Sequence, residues 1–127
     1  MSHDYLLDTS VLLRQVDTQS VQHAAAAATI RRLIASGDVL FITAQNLIEF
    51  WAVATRPVTA NGLGKSTEEA SALFTALEQT FGVVQDSADI FDEWRDLVVK
   101  YEVKGKTTHD ARLVAVMKDA HPHFQYE

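Results

Sequence analysis

The chain has 127 residues, of which 47% are hydrophobic and 22% charged, with a formal net charge of −6. This length and composition are typical of one globular domain with its own core, so residues 1–127 are predicted to form a single domain. The absence of cysteine excludes disulfides, thiolate metal sites and a cysteine nucleophile, and is typical of a reducing cytosol.

The first predicted element is a short buried strand. The residues Tyr5-Leu6-Leu7 form a continuous apolar run, the pattern of a parallel strand covered on both faces. Asp8 would then lie at the carboxyl end of the strand, the edge at which open parallel sheets bind their ligands. The alternative is that Asp8 only caps a helix or turn, which is a common role for Asp. Both interpretations remain open at this point.

The rest of the chain alternates helices with short apolar strands. Helical periodicity follows possible caps at residues 17–20 and continues to about residue 35, and strands are predicted at 39–42 and 83–84. Further helices are predicted at about 44–56, 66–81, 86–101 and 108–119, several of them opened by capping residues. Strands that alternate with helices indicate a parallel sheet with helices on both faces.

No targeting or membrane signal is visible in the sequence. The first residues lack a basic segment that leads into an apolar one, and no apolar stretch reaches the roughly 18 residues that span a bilayer. We therefore expect a cytoplasmic protein that does not associate with membranes.

Glu49 stands out because it interrupts an apolar helix. It lies within Leu-Ile-Glu-Phe-Trp-Ala-Val at 47–53, and a carboxylate there is costly to bury without a cation, a metal ion or hydrogen-bond donors. Helical side chains lean toward the amino end, so Glu49 should point back to the same sheet edge as Asp8. Alternatively, Glu49 lies on one solvated stripe of an otherwise buried helix.

Asp110 is predicted in the first turn of the last helix. The helix dipole stabilises an acid there, which is a sufficient structural explanation for it. As a set, however, Asp8, Glu49 and Asp110 each follow a strand or open a helix of a parallel α/β domain. Their hard carboxylate oxygens suit Mg²⁺ or Mn²⁺, and such an ion can activate a water molecule and hold a phosphodiester.

The net charge bears on what such a site would bind. A chain with a charge of −6 does not hold nucleic acid by broad electrostatic attraction. An acidic site nevertheless remains compatible with a nuclease, because a bound divalent cation offsets the repulsion of phosphate. Few basic residues are placed to contact a nucleic-acid backbone: Arg56, Lys65, Lys104, Lys106 and Arg112.

Three segments of the chain resemble motifs of the PIN-domain family. They are Leu-Leu-Asp-Thr-Ser-Val-Leu at 6–12, Asn-Leu-Ile-Glu-Phe at 46–50 and Gly-Lys-Thr-Thr-His-Asp-Ala-Arg at 105–112. Their order and spacing agree over nearly the whole chain, and together they are fairly specific. The likeness is to the VapC-type toxins of bacterial toxin–antitoxin pairs.

The resemblance implies a fold, an activity and partners. The fold would be a three-layer α/β/α sandwich whose central parallel sheet has the strand order 3-2-1-4-5. The activity would be that of a Mg²⁺- or Mn²⁺-dependent endoribonuclease with Asp8, Glu49 and Asp110 as its catalytic and metal-binding acids, oriented by Ser10. The partners would be an RNA substrate, a small antitoxin that inserts into the acidic cleft, and a second copy of the chain in a homodimer.

The end of the sequence departs from the family pattern. The family has another strand and a fourth acid roughly twenty residues after its third acid, whereas this chain ends at Glu127. Asp119 is not a ready substitute, because nine residues along a helix turn it about 180° from Asp110. Glu127 is a remote candidate. We therefore expect the fourth acid to be missing or altered and the last strand of the sheet to be absent.

Two further hypotheses differ from a toxin ribonuclease. One is a catalytically weak or inactive PIN scaffold that binds antitoxin or RNA without cleaving it. The other is a Mg²⁺-dependent phosphotransfer enzyme of Rossmann-like fold, which also has an acid after its first strand. Such enzymes usually place a second acid two residues further on, and Ser10 occupies that position here.

Overall fold

The computed structural model describes residues 3–120 and 125–126. The strands are Asp4–Leu6 (β1), Val39–Thr43 (β2), Gly82–Val84 (β3) and Gln125–Tyr126 (β4). The helices are Thr9–Val16 (α1), His23–Ala35 (α2), Ala44–Thr55 (α3), Thr67–Thr80 (α4), Ile90–Lys100 (α5) and Thr107–Ala120 (α6). A short 3₁₀ turn, Val58–Ala60, lies between α3 and α4.

The four strands form one parallel sheet in the order β3-β2-β1-β4. In the register, Tyr5 lies opposite Leu40, and Phe41 lies opposite Gly82. The predicted α/β fold with a central parallel sheet is confirmed, and the four strands occupy the first four places of the predicted order. The expectation that the strand after the third acid is absent is not met: a strand, β4, follows α6, although it is only two residues long, and it pairs with β1.

Apolar side chains alternate between the two faces of the sheet and define two cores. Leu7, Leu40 and Ile42 are buried with residues of α1 to α4 on one face. Leu6 and Val84 are buried with residues of α5 and α6 on the other face. The uniformly apolar strands are explained by this double coverage, which gives the three-layer sandwich.

Helix α1 begins directly after β1 and was not among the helices predicted from the sequence. Asp8 is its N-cap, and Asp8 Oδ1 accepts a hydrogen bond from the Ser10 backbone N–H at 3.0 Å. Helix α3 begins as abruptly after β2. Its N-cap is the predicted Thr43, which forms a reciprocal capping box with Asn46. Both helices therefore start at the carboxyl edge of the sheet, and their first turns face each other there.

None of the helices within residues 3–120 is long and apolar enough to cross a bilayer.

Candidate functional site

A chain of hydrogen bonds joins the carboxyl ends of β1 and β2. The Asn46 side-chain amide donates to Thr9 Oγ1 at 2.9 Å, and the Thr9 hydroxyl donates in turn to Glu49 Oε1 at 2.7 Å. Asn46 is held from the other side, since its Oδ1 accepts from the Thr43 backbone N–H at 2.8 Å and from the Thr43 hydroxyl at 3.0 Å. Thr43 and Asn46 are fully buried. Buried polar groups that are satisfied in this way hold one geometry, so the network fixes the start of α3 against α1.

Glu49 is the end of this network that reaches the surface. Its carboxylate is partly buried, and among the described residues its Oε1 has Thr9 as donor while its Oε2 has none. The adjacent Ile48 is 68% exposed, so α3 is not apolar and buried all round. Glu49 therefore lies at the margin of the exposed side of α3, with one carboxylate oxygen directed into the sheet-edge network and one available to a ligand.

Asp8 and Ser10 lie at the first turn of α1, next to Thr9. The capping role considered for Asp8 is present, because its Oδ1 bonds the Ser10 backbone N–H. A cap uses only one carboxylate oxygen, and among the described residues no donor contacts Oδ2 of Asp8. Ser10 acts in this contact through its backbone, and the predicted orienting role of its hydroxyl has no counterpart among the described hydrogen bonds.

Asp110 lies apart from the Glu49 network. It is exposed in the first turn of α6 and lines a largely apolar groove of about 390 Å³ together with Leu97, Val103 and Val114. The residues of α6 that turn toward Glu49 are instead His109 and Arg112. The structure thus brings Asp8 and Glu49 to one edge of the sheet through Thr9, but it does not bring Asp110 to them.

A cleft of about 360 Å³, lined mainly by polar and charged residues, separates α3 from α6. We call it the α3–α6 cleft; its lining residues are Gln45, Ile48, Glu49, Asp86, His109 and Arg112. Arg112 spans it, donating from Nη1 to Gln45 Oε1 at 3.0 Å and from Nη2 to Asp86 Oδ2 at 3.2 Å. Gln45 Nε2 donates to the His109 backbone oxygen at 3.1 Å, which ties the two helices together a second time.

The sequence patterns indicate no functional role for Thr9, Gln45 or Asp86. Polar residues near helix starts are expected for structural reasons alone. Thr9 directly follows the N-cap Asp8, and Gln45 lies two residues after the N-cap Thr43. Their partners are 37 to 67 residues away in the chain, so local spacing carries no sign of these contacts.

Across residues 3–120 and 125–126, no three Asp, Glu or His side chains lie close enough together to hold a metal ion. The chemistry of Asp8 and Glu49 suits a hard cation such as Mg²⁺, because each offers a carboxylate oxygen and there is no sulfur ligand. Asp119 accepts a hydrogen bond from the Ser87 hydroxyl at 2.8 Å. Glu127, the remote candidate for a fourth acid, lies outside the described residues.

The family model of the PIN domain matches residues 5–121. The chain belongs to the PIN-domain family. All three segments that resemble the family lie within the matched range, so the resemblance drawn from them is confirmed at the family level. Membership also argues against the alternative of a Rossmann-like phosphotransfer enzyme. No curated protein matches this PIN domain.

Solved structures with the same fold include VapC toxins. One is VapC20 from Mycobacterium tuberculosis, described as a sarcin-ricin loop cleaving toxin. It has 21% sequence identity and a TM-score of 0.66, over 92% of this chain and 82% of that one. Another is VapBC2 from Rickettsia felis bound to a DNA fragment from their promoter, with 12% identity, a TM-score of 0.64, and coverage of 98% and 97%. At these identities the likeness establishes the fold of this PIN domain, which is the predicted α/β/α sandwich.

Proposed function

We propose that this PIN domain is a Mg²⁺- or Mn²⁺-dependent endoribonuclease, the toxin component of a type II toxin–antitoxin pair, which hydrolyses RNA phosphodiester bonds. The observation that carries the proposal is the placement of Glu49. A carboxylate on a largely apolar helix is fixed by Thr9 at the carboxyl edge of the sheet, next to Asp8. Ligands of parallel α/β folds bind at that edge, and the fold is shared with VapC20, a sarcin-ricin loop cleaving toxin.

In this proposal Asp8, Glu49 and Asp110 would hold the metal ion. Asp8 and Glu49 are supported by their free carboxylate oxygens, whereas Asp110 is included for its position in the family-like motif. A divalent ion at this edge would supply an activated water and offset the charge of the phosphodiester. The residues of the chain would orient the acids. Thr9 and Asn46 orient Glu49, and the first turn of α1 orients Asp8.

The proposed partners follow from the resemblance to VapC-type toxins. We propose a cognate antitoxin protein as the regulatory partner, an RNA as substrate and a homodimer as the assembly, all in the cytoplasm. The α3–α6 cleft, with its two acids Glu49 and Asp86, is open enough to admit a side chain or a nucleotide.

A second candidate is a PIN scaffold that binds RNA or antitoxin without cleavage. The observation that favours it is the position of Asp110, which lines a groove against α5 rather than the α3–α6 cleft. A cation held by Asp8 and Glu49 alone would have fewer protein ligands than the proposed set of three acids.

Cleavage of RNA by the purified chain tests these two candidates. We would compare the wild type with Asp8→Asn, Glu49→Gln and Asp110→Asn, in Mg²⁺, in Mn²⁺ and in EDTA. Glu78→Gln is the matched control, because Glu78 is exposed on α4, far along the chain from the motif segments. The proposal expects cleavage that requires metal, is lost in the Asp8 and Glu49 variants and persists in the control.

Two results would contradict the proposal. A folded wild-type chain that cleaves no RNA in either metal would support the binding scaffold instead. Cleavage that persists in Asp8→Asn and Glu49→Gln would show that the active site lies elsewhere or that the activity belongs to a contaminant.

A further inference from the structure

Arg112 is the permanent cation of the α3–α6 cleft. The other side chains that line the cleft are two acids, Glu49 and Asp86, an amide, a histidine and an exposed isoleucine. The chain has a net charge of −6 and repels anions overall. A cation that faces the proposed active site is therefore the group that an approaching anion would contact. Arg112 belongs to the last of the three family-like segments, and the sequence indicates no role for it beyond a possible contact to a nucleic-acid backbone.

The guanidinium of Arg112 is held in two different ways. Nη1 donates to Gln45 Oε1 at 3.0 Å, and Gln45 is itself anchored to the His109 backbone oxygen. Nη2 donates to Asp86 Oδ2 at 3.2 Å, which is an ion pair between residues 36% and 43% exposed. The amide contact is neutral and braced by α6, whereas the acid contact is solvated and rests on the segment between β3 and α5. Of the two, the contact with Asp86 is the one that an incoming anion would replace.

An exchange of this kind is energetically reasonable. An ion pair this exposed is weak and screened by salt, since water competes for both partners. Arg112 makes a single bond to Asp86, through Nη2, whereas the Nη2–Nε edge of a guanidinium can bind two oxygens of a phosphate while Nη1 stays bonded to Gln45. A phosphodiester that entered the cleft would therefore compete effectively with the Asp86 carboxylate, while Gln45 would keep the guanidinium in place.

We propose that Arg112 binds a backbone phosphate of the RNA substrate and that Asp86 is an internal competitor, which occupies Arg112 until RNA displaces it. The inference rests on the proposed function in so far as RNA is the ligand, and it names the phosphate contact and a restraint on it. Asp86 thus acts as a regulatory residue for substrate binding. Its carboxylate raises the concentration of RNA needed to fill the cleft.

The test is equilibrium binding of a short, fluorescently labelled single-stranded RNA to the full chain in EDTA, so that neither metal binding nor cleavage enters the result. We expect Asp86→Asn to tighten binding about two- to fivefold, the range set by the strength of an exposed ion pair. Arg112→Gln should weaken binding and reduce the slope of log K against log salt by about 0.7, the value for one lost phosphate contact.

The decisive comparison is the double variant. If Asp86 acts through Arg112, Asp86→Asn should have no effect in the Arg112→Gln background. Asp89→Asn is the matched control for the change in net charge, because Asp89 is exposed three residues further along and has no bond to Arg112. Arg95→Gln, an exposed Arg on α5, is the control for the loss of a cation. Circular dichroism of each variant confirms that it is folded.

The outcomes separate this inference from the proposed function. Equal tightening by Asp86→Asn and Asp89→Asn, or tightening that persists without Arg112, would overturn the inference whether or not the chain cleaves RNA. Tightening that depends on Arg112 in a chain that never cleaves RNA would uphold the inference and overturn the nuclease. A wild-type chain that binds no RNA in this assay would overturn the inference.

Discussion

Replacement of Thr9 by Val should destabilise the domain, because Thr9 is the only link between the buried amide of Asn46 and the carboxylate of Glu49 that the described residues provide. Val keeps the shape and the β-branch of Thr but removes the hydroxyl. The Asn46 Nδ2 atom then loses its acceptor at a position with no exposed surface, and Glu49 Oε1 loses its donor.

The two losses differ in size because the two groups differ in burial. A buried donor left without a partner costs about 1–3 kcal/mol. Glu49 is only partly buried, so water replaces much of the hydrogen bonding that Thr9 provided. The contribution of Glu49 to the loss of stability should therefore be small. We therefore expect a decrease of about 2 kcal/mol in the free energy of unfolding. With a urea m-value of about 2 kcal/mol/M, the midpoint should fall by about 1 M at unchanged m.

Urea unfolding followed by circular dichroism measures this change in the free energy of unfolding. Two further variants serve as comparisons. Thr9→Ser keeps the hydroxyl and should recover most of the lost stability. Thr55→Val is the matched control, because Thr55 is also partly buried and its hydroxyl donates only to the Trp51 carbonyl of its own helix. If Thr9→Val lowers the free energy of unfolding no more than Thr55→Val does, the network does not stabilise the fold. Thr9 would then not be what positions Glu49.

Three further predictions concern the scaffold. Ser66→Ala removes the N-cap of α4 and should cost about 1 kcal/mol in urea unfolding; a neutral result would show that the capping box adds no stability. Burial, and then the charge of Asp119, raise the pKa of Glu93. Because a raised folded-state pKa favours the protonated form, Glu93→Gln should be more stable than the wild type at pH 7, and this advantage should disappear as the pH falls below 4.5. A gap that stays constant between pH 7 and pH 3 would contradict this assignment. Gly62→Ala should cost more than about 2 kcal/mol in thermal unfolding, because the new Cβ would overlap the backbone oxygen of the C-cap residue of α3. Gly37→Ala meets no atom within 4 Å and should cost only its positive-φ strain, so an equal loss in both variants would refute the steric reason.

The order of the elements could be predicted because its causes are local. The apolar runs of β1 and β2 are uniform, since helices cover both faces of the sheet. Thr43 followed by Asn46 and Ser66 followed by Glu69 are capping pairs that mark the starts of α3 and α4. These signals place strands and helices in alternation, and the parallel sheet follows from the alternation.

Helix α1 shows where local signals fail. The sequence predicts no helix directly after Asp8, because Thr and Ser next to an acid are typical of turns and caps. In the structure they are the first turn of an eight-residue helix that packs on α2 and α3. Tertiary packing, rather than the propensity of so short a segment, stabilises this helix.

The candidate site was predictable only in part for the same reason. Asp8 and Glu49 could be assigned to one sheet edge, because each follows a strand of the same parallel sheet. The bonds from Asn46 to Thr9 and from Arg112 to Gln45 join segments 37 and 67 residues apart, and no local pattern predicts them. The side of α6 that faces the cleft was also not predictable, and the structure turns His109 and Arg112 toward it rather than Asp110.

The most direct test of the account is to locate a bound Mn²⁺ ion by anomalous scattering in crystals of the wild-type chain soaked in Mn²⁺. We predict a peak at the carboxyl edge of β1 and β2, bonded to oxygens of both Asp8 and Glu49. The other residues that surround the peak would show whether Asp110 joins them. A peak held by other carboxylates, or no peak at saturating Mn²⁺, would contradict the claim that this edge of the sheet is the metal site of the domain.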